Sequence, residues 1–386
     1  CARLLLAILV VTSPKIKATR DLKDFNRERE HHAAVVPQRF RSLLDYSRFY
    51  QQRSQSLVQT DLKTSHSDPT PSPRGYPNFL LHWHHSLREN PRLLHCDDQN
   101  CFANVVIQVL AHSPPISYFS LTRSHSKRCR RLGVCALCCL ELQVSSMFSK
   151  IDDECCEPEL LAKVNFSSAQ PTPLKFFHHL LATLRREETL VHVQSSSLLG
   201  SFVEETFVGR LRYQLKCTEC HETFSRRVKF RYLSLFLDSG IFDVQDSLSH
   251  MFSSSSRISD AALACPACNS TNIIMRVDPR RFPPILCLHV SRSETLSYAR
   301  ERKFVMFPQL LSVNGSTRAA GGSNATYQLY AVIVHDKSSK HKYVVYVKNK
   351  SSSWVEVICE TCRPVSEKLV MAVKANLLFY KRAETR

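Results

Sequence analysis

The sequence predicts an α+β fold, because two amphipathic helices precede a series of strands along the chain. The helices are indicated by apolar residues at helical spacing in FANVVIQVLAHS, which Pro114 and Pro115 end, and in TPLKFFHHLLATLRRE. Six later segments are rich in β-branched and aromatic residues, which is typical of strands: GRLRYQLKC, KFRYLSLFL, FPPILCLHVSR, YQLYAVIVHD, HKYVVYVK and VKANLLFYKR. Helices followed by strands, rather than a mixture of the two, favour the α+β class.

The region before the first helix has a different composition. Residues 1–75 are polar, basic and weakly periodic, and they end in the Pro/Ser-rich stretch SHSDPTPSPRGYP. Such a composition cannot bury enough apolar surface to offset the entropy of ordering the chain. We therefore expect residues 1–75 to be mostly disordered, residues 76–89 to form a linker, and residues 90–382 to form the folded domain.

The 386-residue chain carries a net charge of +18 and has a pI near 9.4. This excess is compatible with acidic partners such as nucleic acid, or with a nuclear or nucleolar address, but charge alone favours a solvated basic surface that keeps the protein soluble. The chain lacks an apolar run of the roughly 18–20 residues that a membrane helix needs, so no membrane partner is expected. The apolar run at 4–11 is short for a secretory signal, which favours an intracellular protein. Because the sequence begins with Cys1, it is compatible with a piece of a longer protein.

Two C-x-x-C pairs give the strongest metal signal. Cys217 and Cys220 form the first pair, Cys265 and Cys268 form the second, and 44 residues separate the two pairs. Each C-x-x-C turn brings two thiolates to one side of an ion, and two turns complete a tetrahedral S4 site for zinc. Four protein ligands leave no open position, so a structural zinc that pins a β insertion is predicted. The alternative is four incidental buried cysteines.

Other cysteines give weaker patterns. A group next to His125 and the basic run KRCRR consists of Cys129, Cys135, Cys138 and Cys139. A zinc site is conceivable in this group, but its irregular spacing favours buried or surface thiols. The lone pair Cys359-Glu-Thr-Cys362 is weak support for redox chemistry.

Taken in order, these motifs resemble the ubiquitin-specific proteases, a family of papain-like deubiquitinases. The helix led by NCF is followed by Q-x-x-x-x-x-F-x-x-x-L-L at Gln170, Phe176, Leu180 and Leu181, then by the two cysteine pairs and the strands that begin with FPPILCLHVSR. The segment SRSHSKRCRRLGVCALCCLEL also resembles a subgroup that includes nucleolar deubiquitinases. The resemblance implies a papain-like fold with fingers, palm and thumb subdomains, with zinc-pinned fingers at about 205–275. It further implies thiol-dependent hydrolysis of isopeptide bonds at the ubiquitin C terminus, with ubiquitin or a ubiquitinated protein as partner.

The resemblance assigns the nucleophile to Cys101, at a helix start where the N-terminal dipole lowers a thiol's pKa. The family motif before this cysteine is Asn-Leu-Gly-Asn-Thr-Cys. Here Cys96 replaces the asparagine assigned to the oxyanion hole, and Asp98 replaces the glycine. Gln99 or Asn100 would then have to donate to the oxyanion instead.

The remaining catalytic positions also differ from the family. Aligning Gly-His-Tyr-x-x-Tyr-Val on Tyr343 places Lys342 at the histidine position and His341 at the glycine. A shift of one residue turns a strand side chain to the opposite face, so His341 serves as the base only if a bulge restores the register. The family's aspartates fall on Ile358 and Cys359, with Glu360 just beyond as the candidate that orients the histidine.

The second helix has lost the acids that hold ubiquitin's arginine-rich tail in the family. Pro, Thr and Lys stand in their place, and Lys175 adds repulsion. Three hypotheses therefore stay open. The chain is a working cysteine deubiquitinase, a pseudo-deubiquitinase that binds ubiquitin or another protein without hydrolysis, or a zinc-stabilised nucleic-acid-binding protein.

Overall fold

The computed structural model describes residues 83, 88–97, 99–131, 133–149, 155–192, 201–236, 243–259, 263–291, 304–313, 325–336 and 343–383. The region predicted to be disordered, 1–75, lies outside the described residues, as does most of the predicted linker. His341, Lys342 and Asp98 lie outside them too. Within the described ranges, no helix combines the length and apolar character that a membrane crossing requires.

Eight helices are described, most of them in the first half of the domain. They are α1 (Cys101–Ala111), α2 (Pro114–Leu121), α3 (Ala136–Met147), α4 (Glu159–Lys163), α5 (Pro173–His192), α6 (Phe202–Phe207), α7 (Val244–Ser253) and α8 (Glu367–Met371). The two helices predicted from apolar spacing are α1 and α5. Pro114 and Pro115 end α1 as expected, and they form the first turn of α2.

Fourteen strands are described, in three sheets. They are β1 (Leu93–Leu94), β2 (Cys155–Cys156), β3 (Gly209–Cys217), β4 (Thr223–Phe230), β5 (Leu233–Phe236), β6 (Ser255–Ser259), β7 (Asn272–Arg281), β8 (Ile285–Ser291), β9 (Leu310–Val313), β10 (Ala325–His335), β11 (Tyr343–Lys348), β12 (Trp354–Ile358), β13 (Thr361–Pro364) and β14 (Ala375–Arg382). Helices thus dominate before residue 208 and strands after it, which confirms the predicted α+β fold.

The largest sheet has the strand order β13-β12-β11-β10-β14-β8-β5, with β9 paired to β10. It is buried on both faces, because alternate residues of β10 enter different cores. Ala331 and Ile333 pack with the helices α1 and α5, whereas Val332 packs with α7 and α8 on the other side. Helix α1 lies against β11 of this sheet and against α5, and its N terminus faces β11 and β12.

The four-stranded sheet has the order β4-β3-β7-β6 and spans the segment interpreted as the fingers. Strand β3 alternates between buried and exposed residues, with Leu211, Tyr213 and Leu215 on the buried face. This alternation is the pattern of an antiparallel sheet with one solvated face. Both C-x-x-C turns lie at the same end of the sheet, because the end of β3 pairs with the start of β7, at Cys217 and Ile273.

Candidate active site and metal centres

The candidate nucleophile Cys101 is the first residue of α1. All eleven residues of α1 are buried, and the Cys101 side chain is only 4% exposed. A helix buried on every side is central to its domain, and here it fixes the position of the thiol relative to β11 and α5. Cys101 therefore lies at the positive end of the helix dipole.

The loop before α1 is held by Asp97. Its carboxylate accepts hydrogen bonds from the backbone N–H groups of Gln99 (2.8 Å) and Asn100 (2.7 Å). The Asn100 side chain accepts from the Asp97 N–H (3.0 Å) and donates to the His95 carbonyl (3.3 Å). The amide of Asn100 is therefore engaged within the loop, while the Gln99 side chain is exposed. A role for either residue in the oxyanion hole remains a prediction.

A cleft opens beside Cys101 between α1 and the strands β11 and β12. Its lining consists of Leu94, Cys96, Cys101, Asn104, Val105, Gln108, Tyr343, Val345, Val357 and Cys359. Three thiols thus face one cleft, and the described part of its lining contains neither a histidine nor a carboxylate. The resemblance noted in the sequence places an amide donor at Cys96 and an aspartate at Cys359, so we expect thiols to replace both groups.

The thiols of Cys96 and Cys359 make a hydrogen bond with each other. Burial raises the pKa of Cys96, and a hydrogen bond with Cys359 and the nearby Cys101 thiol raise it further. Cys96 is therefore neutral at physiological pH. A neutral thiol is a weak hydrogen-bond donor, weaker than a carboxamide N–H.

Tyr343 brings an aromatic hydroxyl to the same cleft. Burial raises its pKa to about 12, and the neighbouring Cys101 adds to this effect. The buried carboxamide of Asn104 donates to the His95 carbonyl (2.9 Å), and that of Gln108 donates to the Arg92 carbonyl (3.2 Å). These two bonds tie α1 to the segment that carries Cys96.

Glu360 sits beside the cleft, not within it. Strands β12 and β13 are joined by a two-residue loop in which Cys359 has a left-handed backbone (φ 51°). The turn directs Cys359 into the cleft and Glu360 towards the segment before α1. The Glu360 carboxylate accepts a hydrogen bond from the Cys96 N–H (3.0 Å) and lies 3.1 Å from His95 Nδ1. These contacts lower the pKa of Glu360.

The predicted packing positions of α5 are buried in the core. Phe176, Leu180 and Leu181 have no exposed surface, and the Phe176 ring makes edge contacts with Phe102 (5.8 Å) and Phe166 (5.4 Å). Lys175 donates from Nζ to the carbonyl of Gln170 (2.7 Å), and burial lowers its pKa.

The four cysteines of the C-x-x-C pairs meet at the end of the fingers sheet. Their sulfur atoms lie within 4.8 Å of one another, with Cys217 to Cys268 at 3.6 Å and Cys220 to Cys265 at 3.5 Å. Zn–S bonds of about 2.3 Å in a tetrahedron place the sulfurs about 3.8 Å apart, so the arrangement could hold a zinc ion. The Cys220 N–H lowers the pKa of Cys217 to about 7, which suits a thiolate ligand.

A second cluster near α3 could also hold a metal. It consists of His125, Cys129, Cys135 and Cys138, whose ligand atoms lie within 4.8 Å of one another, with His125 Nε2 3.1 Å from the Cys135 sulfur. The spacing His-x3-Cys-x5-Cys-x2-Cys joins residues before α3 to its first turn. Cys139, included in the weaker sequence pattern, is not a member. Counting His125 as a ligand, with Cys135 and Cys138 as a C-x-x-C pair, would have revealed this site from sequence.

Comparisons with known proteins agree with this geometry. A family model described as ubiquitin carboxyl-terminal hydrolase matches residues 95–380. Ubiquitin C-terminal hydrolase 15 of Oryza sativa subsp. japonica is 25% identical over 317 residues, which are 77% of this chain and 32% of that protein. Ubiquitin carboxyl-terminal hydrolase 17-like protein A of Mus musculus is 26% identical over 77% of this chain and 58% of its own length. The chain thus spans well under two thirds of these relatives.

The fold also matches solved structures. In the SAGA Ubp8/Sgf11/Sus1/Sgf73 DUB module bound to ubiquitin aldehyde, one chain superposes with a TM-score of 0.64 at 18% identity, over 78% of this chain and 72% of that one. The predicted papain-like fold of ubiquitin-specific proteases is therefore confirmed. Because the family model covers most of the domain, from the loop before Cys101 to the last strand, the chain belongs to the ubiquitin carboxyl-terminal hydrolase family.

Proposed function

We propose that this chain is a thiol hydrolase of bonds at the ubiquitin C terminus, with Cys101 as the nucleophile. The observation that carries the proposal is the position of Cys101. It is the first residue of a fully buried helix, and it opens onto a cleft within the region that matches the family. The positive end of the helix dipole acts at Cys101, and the cleft is the proposed entry for the C terminus of ubiquitin.

In this proposal the Cys101 thiolate attacks the carbonyl carbon of ubiquitin's terminal glycine. The C–N bond then breaks, the amine leaves with a proton, and water releases the acyl group from sulfur. His341 is the proposed base and proton donor, and Glu360 its proposed orienter. Gln99 and Asn100 are the proposed donors to the oxyanion. The roles of His341 and Glu360 rest on the family resemblance, whereas Gln99 and Asn100 are proposed as substitutes for the family's asparagine because they lie in the loop directly before Cys101.

The proposal is tested by turnover of ubiquitin carrying a fluorogenic amine at its C terminus. We expect slow hydrolysis that is abolished in Cys101→Ser and in His341→Ala. The matched control Cys362→Ser changes an exposed thiol on β13 and should leave the rate unchanged. Hydrolysis that survives Cys101→Ser would overturn the assignment of the nucleophile.

A second candidate function is binding of ubiquitin without hydrolysis. It is favoured by Cys96 and Cys359, because two thiols line the cleft where the sequence alignment places a carboxamide and a carboxylate in the family. Under this hypothesis the chain binds ubiquitin as tightly as Cys101→Ser does, and neither protein turns over the fluorogenic substrate.

We further propose that each Cys/His cluster holds one structural zinc ion. The Cys217, Cys220, Cys265 and Cys268 site would join the β3–β4 turn to the start of β7. The His125, Cys129, Cys135 and Cys138 site would hold the segment before α3 against its first turn. With four protein ligands, each ion stabilises structure and takes no part in the reaction.

Nucleic-acid binding and a nuclear or nucleolar address rest on the net charge of +18. Part of that charge is neutralised locally on the fingers sheet. Arg212 pairs with Asp278 at 3.0 Å, and Lys229 pairs with Glu204 at 2.6 Å. Binding to DNA or RNA would be tested by its salt dependence, which is steep when phosphates are contacted.

A further inference from the structure

A third group of metal-ligating side chains lies beside the Cys101 cleft, separate from the two clusters described above. His95, Cys155 and Glu360 bring one nitrogen, one sulfur and one oxygen within 4.8 Å of one another. The three residues are 60 and 205 positions apart in sequence, so the fold and not local sequence brings them together. We propose that they form a zinc-binding site with an open coordination position at the mouth of the cleft.

Backbone structure places the three ligands. Strands β1 and β2 pair in parallel, with Leu93 opposite Cys155, and the His95 N–H donates to the Cys156 carbonyl at 2.9 Å. This pairing sets His95 beside Cys155. Glu360 arrives from the other side, because the two-residue turn between β12 and β13 directs its carboxylate to His95 Nδ1, 3.1 Å away.

The residues around the three candidate ligands also resemble the surroundings of a metal site. Ligating carboxylates are usually held by hydrogen bonds, and a ligating histidine usually has a carboxylate near its other nitrogen. Here the Cys96 N–H holds the Glu360 carboxylate at 3.0 Å, and Glu157 lies 3.9 Å from His95 Nε2. One outer-shell hydrogen bond is thus in place, and Glu157 lies near His95 Nε2 but beyond hydrogen-bond distance.

The three types of ligand atom favour zinc over magnesium and calcium. Imidazole, thiolate and carboxylate together suit zinc, whereas magnesium and calcium prefer oxygen alone. Three protein ligands leave the fourth position to water, and His95 and Glu360 keep about half of their side-chain surface exposed (49% and 45%). An ion bound here would be exchangeable, in contrast to the four-ligand centres. It would also link the segments that carry Cys96 and Cys359, and it would occupy the Glu360 carboxylate, so Glu360 could orient His341 only in protein without metal at this site.

The experiment uses the full chain, loaded with zinc at its four-ligand centres and then freed of weakly bound metal by brief dialysis against EDTA. Titration with Co²⁺ should give one saturable equivalent with a sulfur-to-cobalt charge-transfer band. The Cys155→Ser variant should lose this band, while Cys362→Ser keeps it. We expect Glu360→Gln to weaken binding by more than the roughly 10–100-fold that an outer-shell partner contributes, and Glu157→Gln to stay within that range.

A second measurement is independent of spectroscopy. Zinc added to the dialysed protein should slow alkylation of Cys155 by a maleimide, as mapped by mass spectrometry, and should do so less in His95→Ala. Retention of metal at the four-ligand centres shows that each variant is folded. The proposal is overturned if Cys155→Ser keeps the charge-transfer band, or if no saturable equivalent binds. Neither readout requires hydrolase activity, so failure of this proposal leaves the proposed function untouched.

Discussion

Replacing Cys96 with asparagine is expected to raise the rate at which this chain hydrolyses the ubiquitin C terminus. Cys96 lines the same cleft as Cys101, and the family resemblance assigns it the position of the oxyanion asparagine. Its thiol is neutral and makes a hydrogen bond with Cys359, so it is a weak donor to the oxyanion. The substitution Cys96→Asn supplies a carboxamide N–H at that position.

The magnitude follows from what one such donor contributes. Removal of a single oxyanion-hole donor typically costs about 10²–10³ in kcat, which corresponds to about 2.7–4 kcal/mol of transition-state stabilisation. Here the new carboxamide is partly positioned, because the Cys96 backbone is held by Glu360 at 3.0 Å, but its side chain has no preformed partner. We therefore expect a gain in kcat/KM of about 10–100-fold, with little change in KM.

The assay is steady-state hydrolysis of ubiquitin bearing a C-terminal fluorogenic amine. Cys96→Ser is the matched control, because it removes the thiol and supplies only a short hydroxyl, and we expect it to stay within a few-fold of the parent. If Cys96→Asn folds normally and leaves kcat/KM unchanged, the oxyanion position does not limit the reaction and the reasoning is refuted.

Three further predictions concern stability and metal content. Cys138→Ser should lose one zinc equivalent in metal analysis and lower the melting temperature, whereas the neighbouring Cys139→Ser should retain the metal because it lies outside the cluster; equal zinc loss in both would contradict the site. Phe176→Ala should lower the free energy of unfolding by about 3–5 kcal/mol in denaturant titrations, because it empties a fully buried position between two other rings. Burial lowers the pKa of His112 to about 4 from 6.5, so its neutral form stabilises the fold above pH 6.5 and this contribution is lost as the pH falls towards 4. His112→Gln should therefore reduce the loss of unfolding free energy between pH 7 and pH 4 by about 3 kcal/mol, and an unaltered pH dependence would exclude this role.

Much of the scaffold was predictable, because the spacing of apolar residues along the sequence reflects which residues are buried. The apolar spacing of α1 and α5 and the composition of β3, β8, β10 and β14 were sufficient to locate these elements. The Cys217 and Cys265 pairs were predictable for a similar reason, since C-x-x-C is a local signal whose geometry hardly depends on the rest of the fold.

The chemistry beside Cys101 was less accessible from sequence. That Cys96 and Cys359 share a hydrogen bond depends on a loop and a two-residue turn that are more than 260 residues apart. The engagement of Glu360 with His95 depends on the same turn, and the proximity of Cys155 depends on a parallel strand pair of only two residues. No periodic signal encodes such contacts, because each is set by tertiary packing.

The central claim is that Cys101 is a reactive nucleophile within a ubiquitin-binding cleft. Its most direct test is reaction of the full chain with ubiquitin carrying a C-terminal electrophile, followed by mass spectrometry of the modified peptide. We predict a single covalent adduct on Cys101, absent in Cys101→Ala and present in Cys96→Ala and Cys359→Ala. Normal binding of ubiquitin with no adduct, or an adduct on Cys96 or Cys359 in place of Cys101, would contradict it.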